Sequence, residues 1–344
     1  MKALVKTAKG EGHVELLNIE QPSIAGDEVL LRIDAAGICG TDLHIYHDKA
    51  YYVPPVTLGH EYAGTVVEVG PRVESVKEGD RVTSPATIPC GECHLCRIGS
   101  PNRCIGHKRI LGAVGSDGAF ASYMKVPARI LHKIPKGISA EEAATIEPAA
   151  CAVHAVAERM KVDVGDCVVV LGPGPMGLLA LQVAKAEGAS PVIVAGVESD
   201  VQRLRTAEQL GADVIVNVEA ENLRQTVEKH TQGLGADVVI EASGAAAAQR
   251  DCFDLARRRG RVCLLGLSGT SVNVTLDKVI EGELDIVGSW GTLWTSWRKA
   301  LNLLSSGRVK VAPLIGSRLR LEEWEKGFKL MEDRVALKVL LMPS

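Results

Sequence analysis

The sequence predicts an α/β protein in two parts: a mostly-β N-terminal region and a doubly wound parallel sheet with intervening helices. Three observations carry that prediction. Residues 1–145 hold short strand-like runs punctuated by Gly, Pro and Asp, with no long helical period before about residue 140. From about residue 166 strand and helix patterns alternate, with six apolar strand runs in all. A G-x-G-x-x-G turn, Gly172, Gly174 and Gly177, lies between the first of those runs and a helix.

In the first part the strand runs are VLLRIDAAG (29–37), AGTVVEVG (63–70) and AFASYMKVP (119–127). Ser139, followed by acids as far as Glu142, signals a helix entry. The run that follows to Arg159 reads as helix with a break at Pro148. In the second part CVVVL (167–171) reads as a buried strand and 176–188 as the helix after it. Further strands are expected at 191–195, 213–217, 237–242, 261–266 and 284–289, with a helix at 201–211. The tail from Trp294 reads as helix, the segment LIGSRLRL, a helix at 322–332 and a last strand, ALKVLLM. The expected division is 1–148, 149–290, and a return of 291–344 to the first domain.

Composition bounds the function. A chain of 344 residues that is 46% hydrophobic exceeds one ordinary core, so two domains are expected. The net charge is −3 with the signs interleaved, and no basic patch suits a nucleic acid. The longest apolar run, Cys167 to Ala184, is broken by Gly172, Pro173, Gly174 and Pro175, so no membrane span is expected. The N-terminal residues hold no apolar run of signal-peptide length. A soluble cytoplasmic protein is the expectation. Nine cysteines, an odd number without a secretory signal, favour metal binding over a disulfide framework.

The glycine turn has a physical logic. The first glycine permits the tight turn, the second lets the backbone approach a pyrophosphate, and the third lets helix and strand pack closely. Gly172, Gly174, Pro175, Met176 and Gly177 are therefore the expected phosphate cradle of NAD or NADP. An NAD site usually carries an acid about 20 residues on, at the end of the second strand. Here Gly196 stands at that place. Glu198 can still reach the ribose, or Ser199, Arg203 and Arg205 can take a 2′-phosphate.

Two further patterns point to metal. Cys90, Cys93, Cys96 and Cys104 follow C-x₂-C-x₂-C-x₇-C, and four thiolates on one lobe (88–106) suit a closed, structural zinc site. An iron–sulfur cluster or free thiols are the alternatives. Cys39 lies in CGTDLH, and His60-Glu61 begins sixteen residues after His44. A thiolate, an imidazole and a carboxylate suit a second zinc ion with an open position for substrate. Together these features describe a zinc enzyme that moves hydride to or from a nicotinamide. Oxidising an alcohol requires loss of its O–H proton, which zinc eases and a hydroxyl–imidazole route can carry away.

The motifs GICGTDLH (37–44), GHEYAGTVVEVG (59–70), the cysteine lobe, EPAACAVHA (147–155) and LGPGPMG (171–177) make the whole chain resemble the zinc-containing medium-chain alcohol dehydrogenases. Within them it resembles the polyol (sorbitol-like) and L-threonine branches. The resemblance implies a GroES-like catalytic domain and a Rossmann domain. It implies Cys39, His60, Glu61 and Glu147 as ligands of a catalytic zinc, the two glutamates acting directly, by exchange or through water. It also implies Thr41 and His44 as a proton relay, and Asp42 as an acid that orients His60. Read without the resemblance, Thr41 can cap a loop, His44 can be a surface histidine, Glu147 a helix-entry acid and Asp42 a turn residue. The implied pocket wall includes Tyr51, Ile88 and Trp290–Trp294. A secondary alcohol of a polyol or sugar-derived molecule is the expected substrate, with a threonine-type amino alcohol as the alternative. A non-catalytic dinucleotide-binding relative is the alternative of another class. A homotetramer, or a dimer, is implied, with two zinc ions per chain.

Overall fold

Six parallel strands build the sheet of one unit, which takes in Pro148–Trp290 and Arg298–Lys310 in a computed structural model that describes residues 1–343. Across the sheet the strands run 214–217, 192–196, 168–171, 236–241, 256–264 and 285–288, all neighbours parallel. In chain order that is 3-2-1-4-5-6, the doubly wound arrangement, in which ligands bind beyond the carboxyl ends of the strands where the order reverses. The apolar runs have a direct cause. Val168–Leu171 and Val192–Gly196 are buried at every residue, because helices cover both faces of a parallel sheet.

The helix Pro175–Glu187 follows the first of these strands. Pro175 sits in its first turn, where the missing N–H costs nothing. Gly188 ends it in the left-handed region at φ +99°.

The other unit comprises Met1–Glu147, Gly291–Trp297 and the tail from Val311. Its main sheet runs 132–133, 81–83, 61–69, 28–37, 338–342 and 315–320, with 123–127 also paired to 28–37. Leu31, Ile33, Tyr62, Phe120 and Leu341 are fully buried in its core. The last strand of the chain thus enters a sheet begun by residue 28. Among the described residues no helix is long and apolar enough to cross a membrane.

The helix at 139–159 differs from the sequence expectation. Ser139 and Glu142 do form a capping box over a one-turn helix, Ala140–Ala143. The interruption falls next, and a second helix spans Ile146–Val153, continuing as a π-helical turn over His154–Arg159. Pro148 lies in the first turn of that second helix rather than at the break. A first-turn residue has no intrahelical N–H bond to lose, so proline is tolerated there.

The third motif glycine is set by backbone contact. A Cβ on Gly177 would come within 2.0 Å of the Gly172 carbonyl oxygen. Gly→Ala inside an ordinary helix stabilises by about 1 kcal/mol. Gly177→Ala is expected to reverse that sign and to cost about 2 kcal/mol or more, because the obstacle is backbone and cannot rotate away. Thermal unfolding of the variant measures it; a stabilised Gly177→Ala protein would contradict the packing described.

Candidate active site and metal centres

Cys39 precedes a short helix, Gly40–Tyr46. Asp42, three residues on, is fully buried and accepts the Cys39 N–H at 2.8 Å. Its other oxygen accepts the Gly59 N–H at 3.3 Å and lies 3.7 Å from His60 Nδ1. One carboxylate therefore braces the backbone at Cys39 and before His60 and faces the His60 ring, leaving Nε2 for a ligand. The turn-forming and orienting roles left open for Asp42 by the sequence are both present. Thr41 and His44, three residues apart, project from the exposed side of the same helix. Thr41 Oγ1 lies 3.7 Å from Cys39 Sγ.

The Cys39 sulfur, a His60 ring nitrogen and a Glu61 oxygen lie within 4.8 Å of one another. Soft, borderline and hard donors gathered this closely fit a zinc ion. Glu147 is buried in the first turn of its helix and stands outside that compact set, but its charge reaches His60. Burial alone would push the His60 pKa down. The negative charges of Asp42, Cys39 and Glu147 outweigh it and raise the value well above the usual imidazole range. Burial raises Asp42, against the His60 charge and the Cys39 N–H, which lower it.

Glu61 has a partner that the sequence reading did not single out. Lys338 Nζ lies 2.7 and 2.9 Å from its two oxygens and donates to the Ile38 carbonyl at 3.0 Å. Both side chains are buried. Gly37, the register partner of Glu61, makes the space, since a Cβ there would lie 2.5 Å from Glu61 Oε2. Burial would depress the Lys338 pKa, but Glu61, Cys39 and Asp42 raise it above the ordinary lysine value. The available signal was a lysine inside the apolar run ALKVLLM, a position that only a buried acid could satisfy.

The cysteine lobe is a separate centre. Sγ–Sγ separations are 3.5 Å for Cys93–Cys96 and Cys90–Cys104, 3.8 Å for Cys93–Cys104 and 3.9 Å for Cys90–Cys96. A zinc ion with Zn–S bonds of about 2.3 Å needs tetrahedral edges of about 3.8 Å, so the four sulfurs fit it. Amide N–H groups of Cys96 and Ile105 pull the Cys93 thiol down to about 5, while burial pushes Cys96 up to about 12. All nine cysteines are free thiols.

The glycine turn fits a dinucleotide. Gly172 is left-handed at φ +98°, and a Cβ on it would meet Ser243 Cβ at 2.6 Å. A Cβ on Gly174 would meet nothing within 4 Å, so the turn is open on the side a phosphate would approach. Ser243 is held by a residue outside the glycine motif. Glu241, fully buried, accepts Ser243 N–H at 2.8 Å, Ser243 O–H at 2.5 Å and Gly244 N–H at 2.9 Å. An acid closing the apolar strand DVVIE ahead of Ala-Ser-Gly was the sequence signal.

Glu198, Ser199 and Arg203 follow the second strand, the first two exposed. Of the expected pocket-wall residues, Tyr51, Trp290 and Trp294 are exposed, and Ile88 is buried in the core.

Comparison with known proteins agrees with this chemistry. Residues 25–136 match the alcohol dehydrogenase GroES-like domain, and residues 175–306 match the zinc-binding dehydrogenase domain. A sorbitol dehydrogenase of Halalkalibacterium halodurans is 39% identical over 345 residues, covering 100% of this chain and 99% of its own. An L-threonine 3-dehydrogenase of Bacillus licheniformis is 40% identical, covering 100% and 99%. A solved structure described as a zinc-binding dehydrogenase from Sinorhizobium meliloti 1021 bound to NADP superposes with a TM-score of 0.92, at 32% identity and 99% coverage of both chains. The chain belongs to the zinc-containing medium-chain alcohol dehydrogenase family. It is an NAD(P)-dependent zinc alcohol dehydrogenase.

Removing one member of a buried ion pair strands the other charge. Lys338→Met is expected to destabilise the protein by about 3–5 kcal/mol, and Lys338→Met with Glu61→Met to recover most of that loss. Denaturant unfolding of both single variants and the pair checks it. Additive single losses with no recovery would mean that the pair is not coupled.

Proposed function

We propose that this enzyme oxidises a secondary alcohol on a polyol or sugar-derived molecule to the ketone, passing hydride to a nicotinamide. The observation that carries the reading is the gathering of the Cys39, His60 and Glu61 donor atoms within 4.8 Å, braced by buried Asp42. Cys39, His60, Glu61 and Glu147 are the proposed protein ligands of a catalytic zinc, the two glutamates acting directly, by exchange or through water. Such a zinc, when bound, supplies Lewis acidity that makes a hydroxyl proton acidic near neutral pH.

The chain's own groups do the rest. Asp42 fixes the His60 ring, so that Nε2 is presented as a ligand. Thr41 relays the substrate proton, accepting it on its hydroxyl oxygen while giving up its own proton toward exposed His44, which returns a proton to solvent. Gly172, Gly174, Pro175, Met176 and Gly177 hold the dinucleotide pyrophosphate through open backbone at the helix start. Residues 1–147, 291–297 and 311–344 serve as the catalytic domain, and 148–290 with 298–310, a stretch the sequence assigned to the first domain, as the nucleotide-binding domain. The sulfurs of Cys90, Cys93, Cys96 and Cys104 hold a second, structural zinc, giving two per chain. Free cysteines support a reducing, cytoplasmic setting. Assembly as a homotetramer, or a dimer, is part of the proposal.

A threonine-type amino alcohol is the second reading, favoured by the 40% identical threonine dehydrogenase. A reduction assay at pH about 8–9 separates the two, offering polyols, aldoses, sugar acids, small secondary alcohols and L-threonine. Activity confined to L-threonine would replace the polyol reading. Cys39→Ala is expected to lower bound zinc from two ions per chain to one and turnover by about 10³-fold or more, with dinucleotide binding kept. Elemental analysis and nucleotide titration read both; substantial remaining turnover would remove Cys39 as a ligand. His44→Ala is expected to slow turnover mainly at low pH, where proton release limits. An unchanged pH profile would remove His44 from the relay.

A further inference from the structure

This inference rests on the dinucleotide reading and concerns which nucleotide the enzyme takes. A family member 32% identical to this chain was solved with NADP, so membership leaves the choice open. The acid expected at the end of the second strand is replaced by Gly196, and the structure explains why. A Cβ there would lie 3.0 Å from Pro173 Cγ and Cδ and 3.1 Å from Asp200 Cβ. The proline inside the phosphate turn crowds any side chain at this place.

Two other carboxylates gather at the same edge. Asn217 ends the neighbouring strand and is the register partner of Gly196. Its side-chain amide donates to Glu198 Oε2, and its Oδ1 accepts the Glu219 N–H at 3.1 Å. Glu219 Oε2 accepts the Glu198 N–H at 2.7 Å. The three residues close a ring of hydrogen bonds that holds two exposed carboxylates beyond the carboxyl ends of adjacent parallel strands. Doubly wound sheets bind ligands at that edge. The nearest arginine in sequence, Arg203, faces Asp200, with Nη1 3.9 Å from Oδ1.

We propose that Glu198 and Glu219 together take the place of the missing strand-end acid and select an unphosphorylated adenosine ribose, making this an NAD enzyme. Ionised carboxylates only accept hydrogen bonds, and a ribose diol supplies two O–H donors. A 2′-phosphate supplies acceptors instead and brings about −1.5 to −2 charge at pH 7. Set against the Glu198 carboxylate, held by the Asn217 amide, and the Glu219 carboxylate, held by the Glu198 N–H, it is repelled.

The test is calorimetric titration of the whole protein with NAD⁺ and NADP⁺ in separate runs at one salt concentration, without alcohol. NAD⁺ is expected to bind at least about tenfold more tightly. Replacing both acids, Glu198→Gln with Glu219→Gln, is expected to bring the two Kd values within about threefold. NADP⁺ binding as tightly as NAD⁺ to the unaltered protein overturns the proposal, and so does a ratio that the double variant leaves unchanged. Binding of neither nucleotide overturns the dinucleotide reading itself, and the proposal with it.

Discussion

The Lys338–Glu61 ion pair is the contact on which the candidate metal site depends. It joins residues 277 apart in sequence and lies where the strands 28–37, 61–69 and 338–342 run side by side. Glu61 follows His60 directly, and Lys338 also holds the Ile38 carbonyl, one residue before Cys39. A single ammonium thus braces both segments that carry candidate ligands. Its desolvation is offset by two carboxylate oxygens and one carbonyl, the condition under which a buried charge persists. Gly37 is part of the same constraint, because any side chain there would occupy the space of the Glu61 carboxylate.

The two candidate metal sites pose different problems. In the cysteine lobe the four sulfurs already approach tetrahedral spacing, and every donor is a cysteine sulfur from one stretch of 15 residues, 90–104. Such a set is complete without any outside ligand, which suits fastening a lobe. At Cys39 and His60 the donors come from separate elements and need outside bracing, which Asp42 and Lys338 supply. A compact set of three donors there would leave a position for substrate.

The nucleotide-binding sheet relies on backbone proximity more than on charge. Gly172 presses on Ser243, Gly177 on the Gly172 carbonyl, and Gly196 on Pro173. Glu241 adds one buried carboxylate that ties Ser243 and Gly244 into the same cluster. These contacts shape the turn that leads into the helix Pro175–Glu187. They also crowd the end of the second strand at Gly196.

Much of this was legible in the chain itself. The six strand runs along the chain, the helix at the glycine turn and the four-cysteine lobe depend on local periodicity and short spacings, which sequence carries directly. The candidate ligands Cys39 and His60 stood out because thiolate and imidazole sit in short, patterned segments. Pro148 misled the reading of its helix, because proline marks a first turn as readily as a break and only backbone geometry tells them apart. Lys338, Gly37 and Glu241 were invisible as partners, since each acts through a neighbour that only sheet registry or loop closure brings close. The ribose corner was ambiguous for the same reason: Asn217 and Glu219 come from a different strand than Glu198. Local pattern determined the elements and the donor types, while three-dimensional pairing decided which charges meet, because a buried charge is defined by what surrounds it.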